Sequence, residues 1–392
     1  MKILFLAPQP FFQERGTPIA IDLMLCSLSD RGDEVDVITF PLGENRSYPG
    51  VDIVRVSPPF APAVIKPGFS WKKIYCDIFV LWRAFQAVRT RRYDLIHAVE
   101  ESVFIAMVLK MIFRVPYVYD MDSSMVSQML HRFPWLRVAS RPLRWLEQLA
   151  MRQAIAVVPM CECLADRARR HCQGLVHVVK DVSLIPTEVS DGAETIRATV
   201  QAKGAVLMYV GNLESYQGLD LLLECFAKVH DSHPDAVLVI IGGTGPDIQK
   251  YRHKARVFGI AEYVHLLGPR PVAALGDYLK QADLLVSPRV DGENTPLKIY
   301  SYLDSGVAVV ATDLPTHTQL VTANEAALSP PKAGAMASVI DRLLDDPAER
   351  QRLAQNARRL IRQEHTMEYF CKDVDKIFGE LESRVAGGSH VI

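Results

Sequence analysis

Short apolar runs alternate along the chain with longer stretches in which apolar residues recur every three or four positions. In the first half the runs fall at residues 3–7, 35–40, 53–56, 95–98, 117–119 and 156–159. In the second half they fall at 206–210, 237–241, 263–267, 284–287 and 308–312. Continuous runs of this length fit strands buried on both faces, and the amphipathic stretches between them fit covering helices. The alternation predicts an α/β protein of two doubly wound, Rossmann-like domains, each a parallel sheet flanked by helices. Ligands of such sheets sit beyond the carboxyl ends of the strands, so a cleft is expected where two sets of ends face one another. Pro186 interrupts the pattern and places the domains at 1–185 and 190–365, with a helix at 366–385 and a frayed tail at 386–392.

Composition narrows this little. A chain of 392 residues suits two or three domains, and a net charge of −1 gives no global attraction to nucleic acid. Seven scattered cysteines, with Cys161 and Cys163 too close for a zinc knuckle, read as reduced thiols in a cytoplasmic protein. The apolar start ends at Pro8 without a basic flank or cleavage site, so it reads as a first strand rather than a signal peptide. No apolar run reaches the roughly 18 residues of a spanning helix.

Local charge is more informative. Residues 71–93 carry Trp71, Ile74, Tyr75, Ile78, Leu81, Trp82, Phe85 and Val88 at helical spacing, interleaved with six cations. Residues 132–152 hold five arginines and two tryptophans against one acid, Glu147. Basic amphipathic helices with tryptophan suit an anionic headgroup layer; core packing is the expected use of most of the first stripe.

Candidate chemistry clusters at predicted strand ends. Residues 291–306, DGENTPLKIYSYLDSG, read as an acidic loop, a short helix with Pro296 in its first turn, and Gly306 just past its end. Glu293, Asn294, Thr295 and Leu297 lie in the part that points backbone N–H groups at an anion, and Arg289 and Lys298 flank it. Gly211, Asn212 and Gln217 lie in a strand–glycine–helix turn, and Gly243 lies in a glycine cluster after another strand. In the first half, Gly16 follows Arg15 at a helix start, His97, Glu100 and Glu101 end one strand as candidates for the acceptor side of the cleft, and Asp120 and Asp122 end the next. An Asp-x-Asp pair suits a metal–diphosphate site, whereas His97 also suits a structural role.

Residues 209–224, 240–246, 263–268 and 291–311 together resemble the donor domain of family-four glycosyltransferases, which have the GT-B fold. The resemblance covers roughly 205–365 closely and the first half loosely. It implies transfer of a sugar from a nucleotide-diphosphate sugar to a hydroxyl acceptor, with retention at the anomeric carbon and no metal or other cofactor. It implies a C-terminal helix that packs back on the first domain. It also implies that Glu293 stabilises positive charge on the reacting sugar. Asn212 and Gln217 stand where the family has an Arg and a Lys for the donor phosphates, and Ser301 stands at its ribose-binding Glu. Arg289 and Lys298 are the proposed replacements. Gly16 and Gly243 fall at the donor site, and Asp120 or Asp122 at the family's cleft histidine. A lipid-linked saccharide of envelope or exopolysaccharide synthesis suits the basic stretches as acceptor, with the protein peripheral at the inner face of the plasma membrane. Two alternatives stand beside this reading: a sugar-nucleotide-binding protein with impaired catalysis, and a metal-dependent transferase using Asp120 and Asp122.

Overall fold

The protein is described from a computed structural model that covers residues 1–63, 65, 70–186 and 194–388, apart from the side chains of residues 131, 132, 134 and 388. Strands β1 to β7 are Lys2–Ala7, Glu34–Thr39, Val51–Arg55, Leu95–Val99, Tyr117–Met121, Ala156–Pro159 and Leu175–Val176. They form one sheet in the order β3-β2-β1-β4-β5-β6-β7, parallel throughout. Strands β8 to β13 are Val206–Val210, Val237–Ile241, Val264–Gly268, Leu284–Ser287, Val309–Thr312 and Ala327–Ser329. Their sheet has the order β10-β9-β8-β11-β12-β13, again parallel. Both sheets reverse direction of growth beside their first strand, at β1/β4 and at β8/β11. The doubly wound architecture is therefore present twice, and the apolar runs predicted as strands are all strands. Strands β7 and β13, of two and three residues, carry too short an apolar signal to stand out in the sequence.

The chain divides into two compact units, Met1–Lys180 together with the residues from Glu368 on, and Asp181–Met367. The division falls at 180/181, ahead of the expected 185–190, because residues 181–184 already bond within the second unit. Leu184 N donates to Ser301 Oγ at 2.9 Å and Ser183 N donates to the His365 carbonyl at 3.3 Å. Residues 187–190, where the boundary was also sought, lie outside the described residues. The final helix runs Met367–Gly388, so residues 386–388 continue the helix rather than fray; 389–392 lie outside the described residues.

That helix belongs to the first unit's core. Phe378 is fully buried with its ring 5.9 Å from His97, which itself stacks on Phe5 at 4.4 Å. Arg31 reaches across to Asp375 at 3.3 Å. His97 is completely buried, with Nε2 2.9 Å from Asp120 Oδ2. It is thus a packed core residue that orients Asp120, and it is not exposed to an acceptor.

Phe378→Ala should destabilise the first unit by about 3–5 kcal/mol, the usual cost of emptying a buried phenylalanine site. Chemical denaturation should show one transition shifted and ligand binding to the second unit retained. A shift below about 1 kcal/mol would mean that the helix is only loosely docked.

Candidate active site

In the second unit the site is built where β8 and β11 part. The segment leaving β8 runs Gly211 to Gly218 and feeds the helix Leu219–Ser232. Gly218 has φ +78°, and a Cβ there would lie 1.8 Å from the Pro288 carbonyl oxygen at the exit of β11. Only glycine lets these two backbones approach so closely. Val290 N donates to the Tyr216 carbonyl at 3.0 Å and closes the seam. Upstream, Tyr302 brackets Val210: its hydroxyl accepts from Val210 N at 2.5 Å and donates to Val210 O at 3.0 Å.

Gly211 (φ +151°) leaves a gap, since a Cβ there would meet the Tyr209 hydroxyl at 3.2 Å and the Lys298 amine at 3.4 Å. Lys298 Nζ donates to Gln217 Oε1 at 2.8 Å and lies 3.9 Å from the centre of the Tyr209 ring. Arg289 is buried, donating from Nε to the Asp291 carbonyl at 2.8 Å and from Nη2 to Asn294 Oδ1 at 2.7 Å, with its guanidinium 5.2 Å from the Tyr216 ring. Gly292 (φ +121°) makes room, because a Cβ would fall 2.2 Å from Arg289 Nη2. Both cations thus gather against the β8 turn, Lys298 bonded to the residue at the family's lysine position. Burial, and after it the charge of Arg289, hold the Lys298 amine well below the usual lysine range. The ring of Tyr209 favours the charged form, but a cation–π contact of roughly 0.5–2 kcal/mol is small beside the desolvation of an ammonium.

The loop after β11 is pinned from behind. Gln319 Nε2 donates to the Glu293 carbonyl at 3.0 Å and Thr316 Oγ1 to the Asn294 carbonyl at 2.7 Å. Buried His317 has Nδ1 2.9 Å from the Thr312 carbonyl and Nε2 2.8 Å from Ser287 Oγ, and Thr312 Oγ1 donates to the Arg289 carbonyl at 2.6 Å. Burial depresses the His317 pKa to about 4, so the neutral ring donates from Nδ1 and accepts at Nε2. Glu293 is half-buried, as are Asn294 and Leu297; Thr295 is buried.

Several expectations change here. The helix begins at Lys298, two residues after Pro296, whose carbonyl accepts from Ile299 N at 2.9 Å; Leu297 is its N-cap. Ser301 is completely buried and its hydroxyl holds Leu184 N, so it serves the start of the unit rather than the open loop. Asn212 Oδ1 caps its own turn by accepting from Glu214 N at 3.3 Å. Gly243 (φ +83°) packs against Leu213. Tyr209, Tyr216, Tyr302 and His317 went unrecognised. Only the tyrosines had a sequence signal, as polar-tipped aromatics inside or beside apolar runs.

In the first unit, Arg15, Glu100, Glu101, Asp120 and Asp122 gather at the carboxyl ends of β1, β4 and β5. Glu100 takes φ +47°, and Ser123 Oγ donates to its carboxylate at 3.3 Å. Burial, and then Glu101, push its pKa up to about 7. Glu101 is ion-paired with Lys73. Asp77 is pushed up to about 8, again by burial first. Gly16 is exposed with open space where a side chain would stand. Among the described residues no group of three or more His, Cys, Asp or Glu side chains could hold a metal ion.

Both halves match glycosyltransferase families: residues 16–179 match the glycosyl transferase 4-like domain and 193–360 the glycosyl transferases group 1. The chain is a family-four glycosyltransferase. Among its relatives, an alpha-D-kanosaminyltransferase of Streptomyces kanamyceticus is 24% identical over 267 residues, 65% of this chain and 68% of the relative. A sucrose-phosphate synthase from Thermosynechococcus elongatus shares the GT-B fold with a TM-score of 0.79 at 19% identity, covering 98% of this chain and 99% of that one. HepE from Anabaena, solved in complex with UDP-glucose, gives a TM-score of 0.75 at 18% identity over 97% of this chain and all of that one (100%).

The depressed Lys298 amine gives the glycosyltransferase a pH signature. If the donor diphosphate sits beside Lys298, it raises that pKa and its binding takes up a proton. Affinity for a nucleotide sugar should therefore rise as pH falls from the bound-state pKa toward the free-state value, by at most tenfold per pH unit. Lys298→Met should flatten that dependence and weaken binding by about 1–3 kcal/mol. Calorimetry with the nucleotide sugar that most raises the melting temperature measures both; an equal pH slope in the variant would remove Lys298 from the site.

Proposed function

We propose that this glycosyltransferase moves a sugar, with retention, from a nucleotide-diphosphate sugar to a hydroxyl of a lipid-linked saccharide at an anionic membrane surface, the inner face of the plasma membrane. The observation that carries the donor half is the pair Arg289 and Lys298, brought from the β11 side to the β8 turn. The likeness of the fold to HepE, solved with UDP-glucose, supports a donor of that class. On this reading the two cations take the charge of the diphosphate as the bond from the anomeric carbon to the phosphate oxygen breaks. The Glu293 carboxylate stabilises the oxocarbenium-like centre. The acceptor oxygen bonds to that carbon on the face the phosphate leaves, and its proton passes to the phosphate. No metal is assigned: Asp120 already holds His97.

Glu293→Gln should lower turnover by about 10² or more, the scale of losing one preorganised group, with donor affinity changed far less. Stopped transfer assays with EDTA present measure it. Near-normal turnover would remove Glu293 from the mechanism. A parent protein that binds nucleotide sugar but neither transfers nor hydrolyses it would make the chain a binding protein, the reading that Asn212, Gln217 and Ser301 favour.

The acceptor half rests on the outer face of the first unit. The helix Trp71–Thr90 buries Lys73, Cys76, Val80 and Ala84, and Tyr75, Leu81, Phe85 and Val88 of the expected core stripe pack against the same core. Only Trp71 (79% accessible), Ile78 and Trp82 of that stripe are exposed, on the same side as Arg89. Trp135 (70%) and Trp145 (62%) are exposed beside Arg137, Arg141 and Arg144, whereas Glu147, the only acid of that stretch, is buried against Ser124. The side chain of Arg132 lies outside the described residues. Among the described residues no helix is long and apolar enough to cross a membrane, but tryptophans amid uncompensated arginines suit a headgroup layer.

The protein should co-sediment with phosphatidylglycerol vesicles and not with phosphatidylcholine vesicles, and high salt should release part of it. Reversing Arg137, Arg141 and Arg144 to Glu should abolish co-sedimentation without changing nucleotide-sugar affinity. Equal binding to both vesicle types would remove the membrane from the proposal.

A further inference from the structure

The loop that carries Glu293 runs from the end of β11 to the helix Lys298–Asp304 and has no regular structure of its own. A group that stabilises charge at a reacting atom must keep its place to within about 0.5 Å. Support for such a loop has to come from outside it. Here it comes from one short segment, residues 312–319, at the exit of β12. Thr312 Oγ1 donates to the Arg289 carbonyl at 2.6 Å, Gln319 Nε2 to the Glu293 carbonyl at 3.0 Å and Thr316 Oγ1 to the Asn294 carbonyl at 2.7 Å. The last two bonds hold successive peptide planes, those that follow Glu293 and Asn294, and so restrict the backbone between them.

The segment is itself rigid. His317, completely buried, joins it to both strands: Nδ1 is 2.9 Å from the Thr312 carbonyl and Nε2 is 2.8 Å from Ser287 Oγ. His317 N donates to the Leu314 carbonyl at 2.8 Å and Val321 N to the His317 carbonyl at 3.0 Å. The supports divide by what they hold. Thr316 steadies Asn294, whose Oδ1 accepts from Arg289 Nη2, and so serves a cation. Gln319 steadies the residue that bears the carboxylate. Its amide suits the place, because a carbonyl needs a donor; a Glu of the same length would set oxygen against oxygen at neutral pH. We propose that Gln319 is a positioning residue for sugar transfer: its amide fixes the backbone of Glu293 and, through it, the carboxylate. This rests on the role given to Glu293 above and deepens it.

The test uses the full chain and the nucleotide sugar that most raises its melting temperature, UDP-glucose being the first tried. Gln319→Met keeps the length of the side chain and removes the donor. Thr312 and Thr316 still hold the loop in that variant, so it should fold. Turnover should fall at least tenfold, since a displacement of ~1 Å near the chemistry costs about 10². The donor Kd from calorimetry should change less than threefold. In a Glu293→Gln background the same substitution should cost less than twofold, because a residue that acts through that carboxylate then has nothing left to place. Gln319→Glu lacks a donor above its carboxyl pKa; it should give the same pattern and stands in if the methionine variant does not fold. Unchanged turnover in Gln319→Met, or the full loss repeated in the Glu293→Gln background, overturns the proposal. Parallel loss of donor affinity and melting temperature also overturns it, as the mark of a packing role. Impaired Glu293→Gln beside a normal Gln319→Met refutes this inference alone, whereas near-normal turnover in Glu293→Gln removes both readings.

Discussion

The close approach of two backbones at the divergence of β8 and β11 governs the donor unit. Gly218 sits where any Cβ would overlap the Pro288 carbonyl oxygen. That contact sets how the loop after β8 crosses the loop after β11, and the Tyr216–Val290 hydrogen bond locks the crossing. Once the loops are stitched, Arg289 and Lys298 have nowhere to go but against the glycine turn. A doubly wound sheet always leaves a crevice at this position. What is particular here is that the crevice is walled by three tyrosines, Tyr209, Tyr216 and Tyr302. Their rings and hydroxyls take up the polar and cationic groups that a looser loop would leave to solvent.

Holding two cations so close has an energetic consequence. Burial penalises each charge, and two like charges near one another add repulsion to that cost. Arg289, which keeps its proton at any physiological pH, is satisfied by the Asp291 carbonyl and Asn294. At Lys298 burial, and after it the charge of Arg289, lowers the pKa of the amine.

The fold was legible because parallel strands buried on both faces are written as continuous apolar runs, and eleven such runs were long enough to read. β7 and β13 escaped because an edge strand of two or three residues leaves no periodicity. Site legibility followed backbone logic. Gly211, Gly218 and Gly306 announced turns, and each has a positive φ. Side-chain assignments fared less evenly. Ser301 could be aligned, but nothing local told that its hydroxyl would be claimed by Leu184, 117 positions away. The stripe of the helix Trp71–Thr90 had the period of a core face, and Tyr75, Leu81, Phe85 and Val88 pack on the core beside Cys76, Val80 and Ala84, whereas Trp71, Ile78 and Trp82 do not. Hydrophobic spacing identifies a face, but the closest places on the sheet go to the small side chains at its edge.

The same selection explains why the first unit can carry a sticky outer surface. The helix buries Cys76, Val80 and Ala84, packs Tyr75, Phe79 and Phe85 against the same core, and leaves Trp71, Ile78 and Trp82 outside. Single exposed apolar side chains need no explanation, but Trp71, Ile78 and Trp82 on one side of a helix, with further tryptophans beside arginines, form a concentration that soluble surfaces avoid. Burying Glu147 removes the one acid that would have neutralised the arginines around it, and Ser124 and Val126 N satisfy its carboxylate inside. The cost of burying that group is met by hydrogen bonds, and burial raises its pKa. The outside is left uniformly cationic along that stretch. A carboxylate withdrawn from a surface thus shapes that surface as strongly as the arginines left upon it.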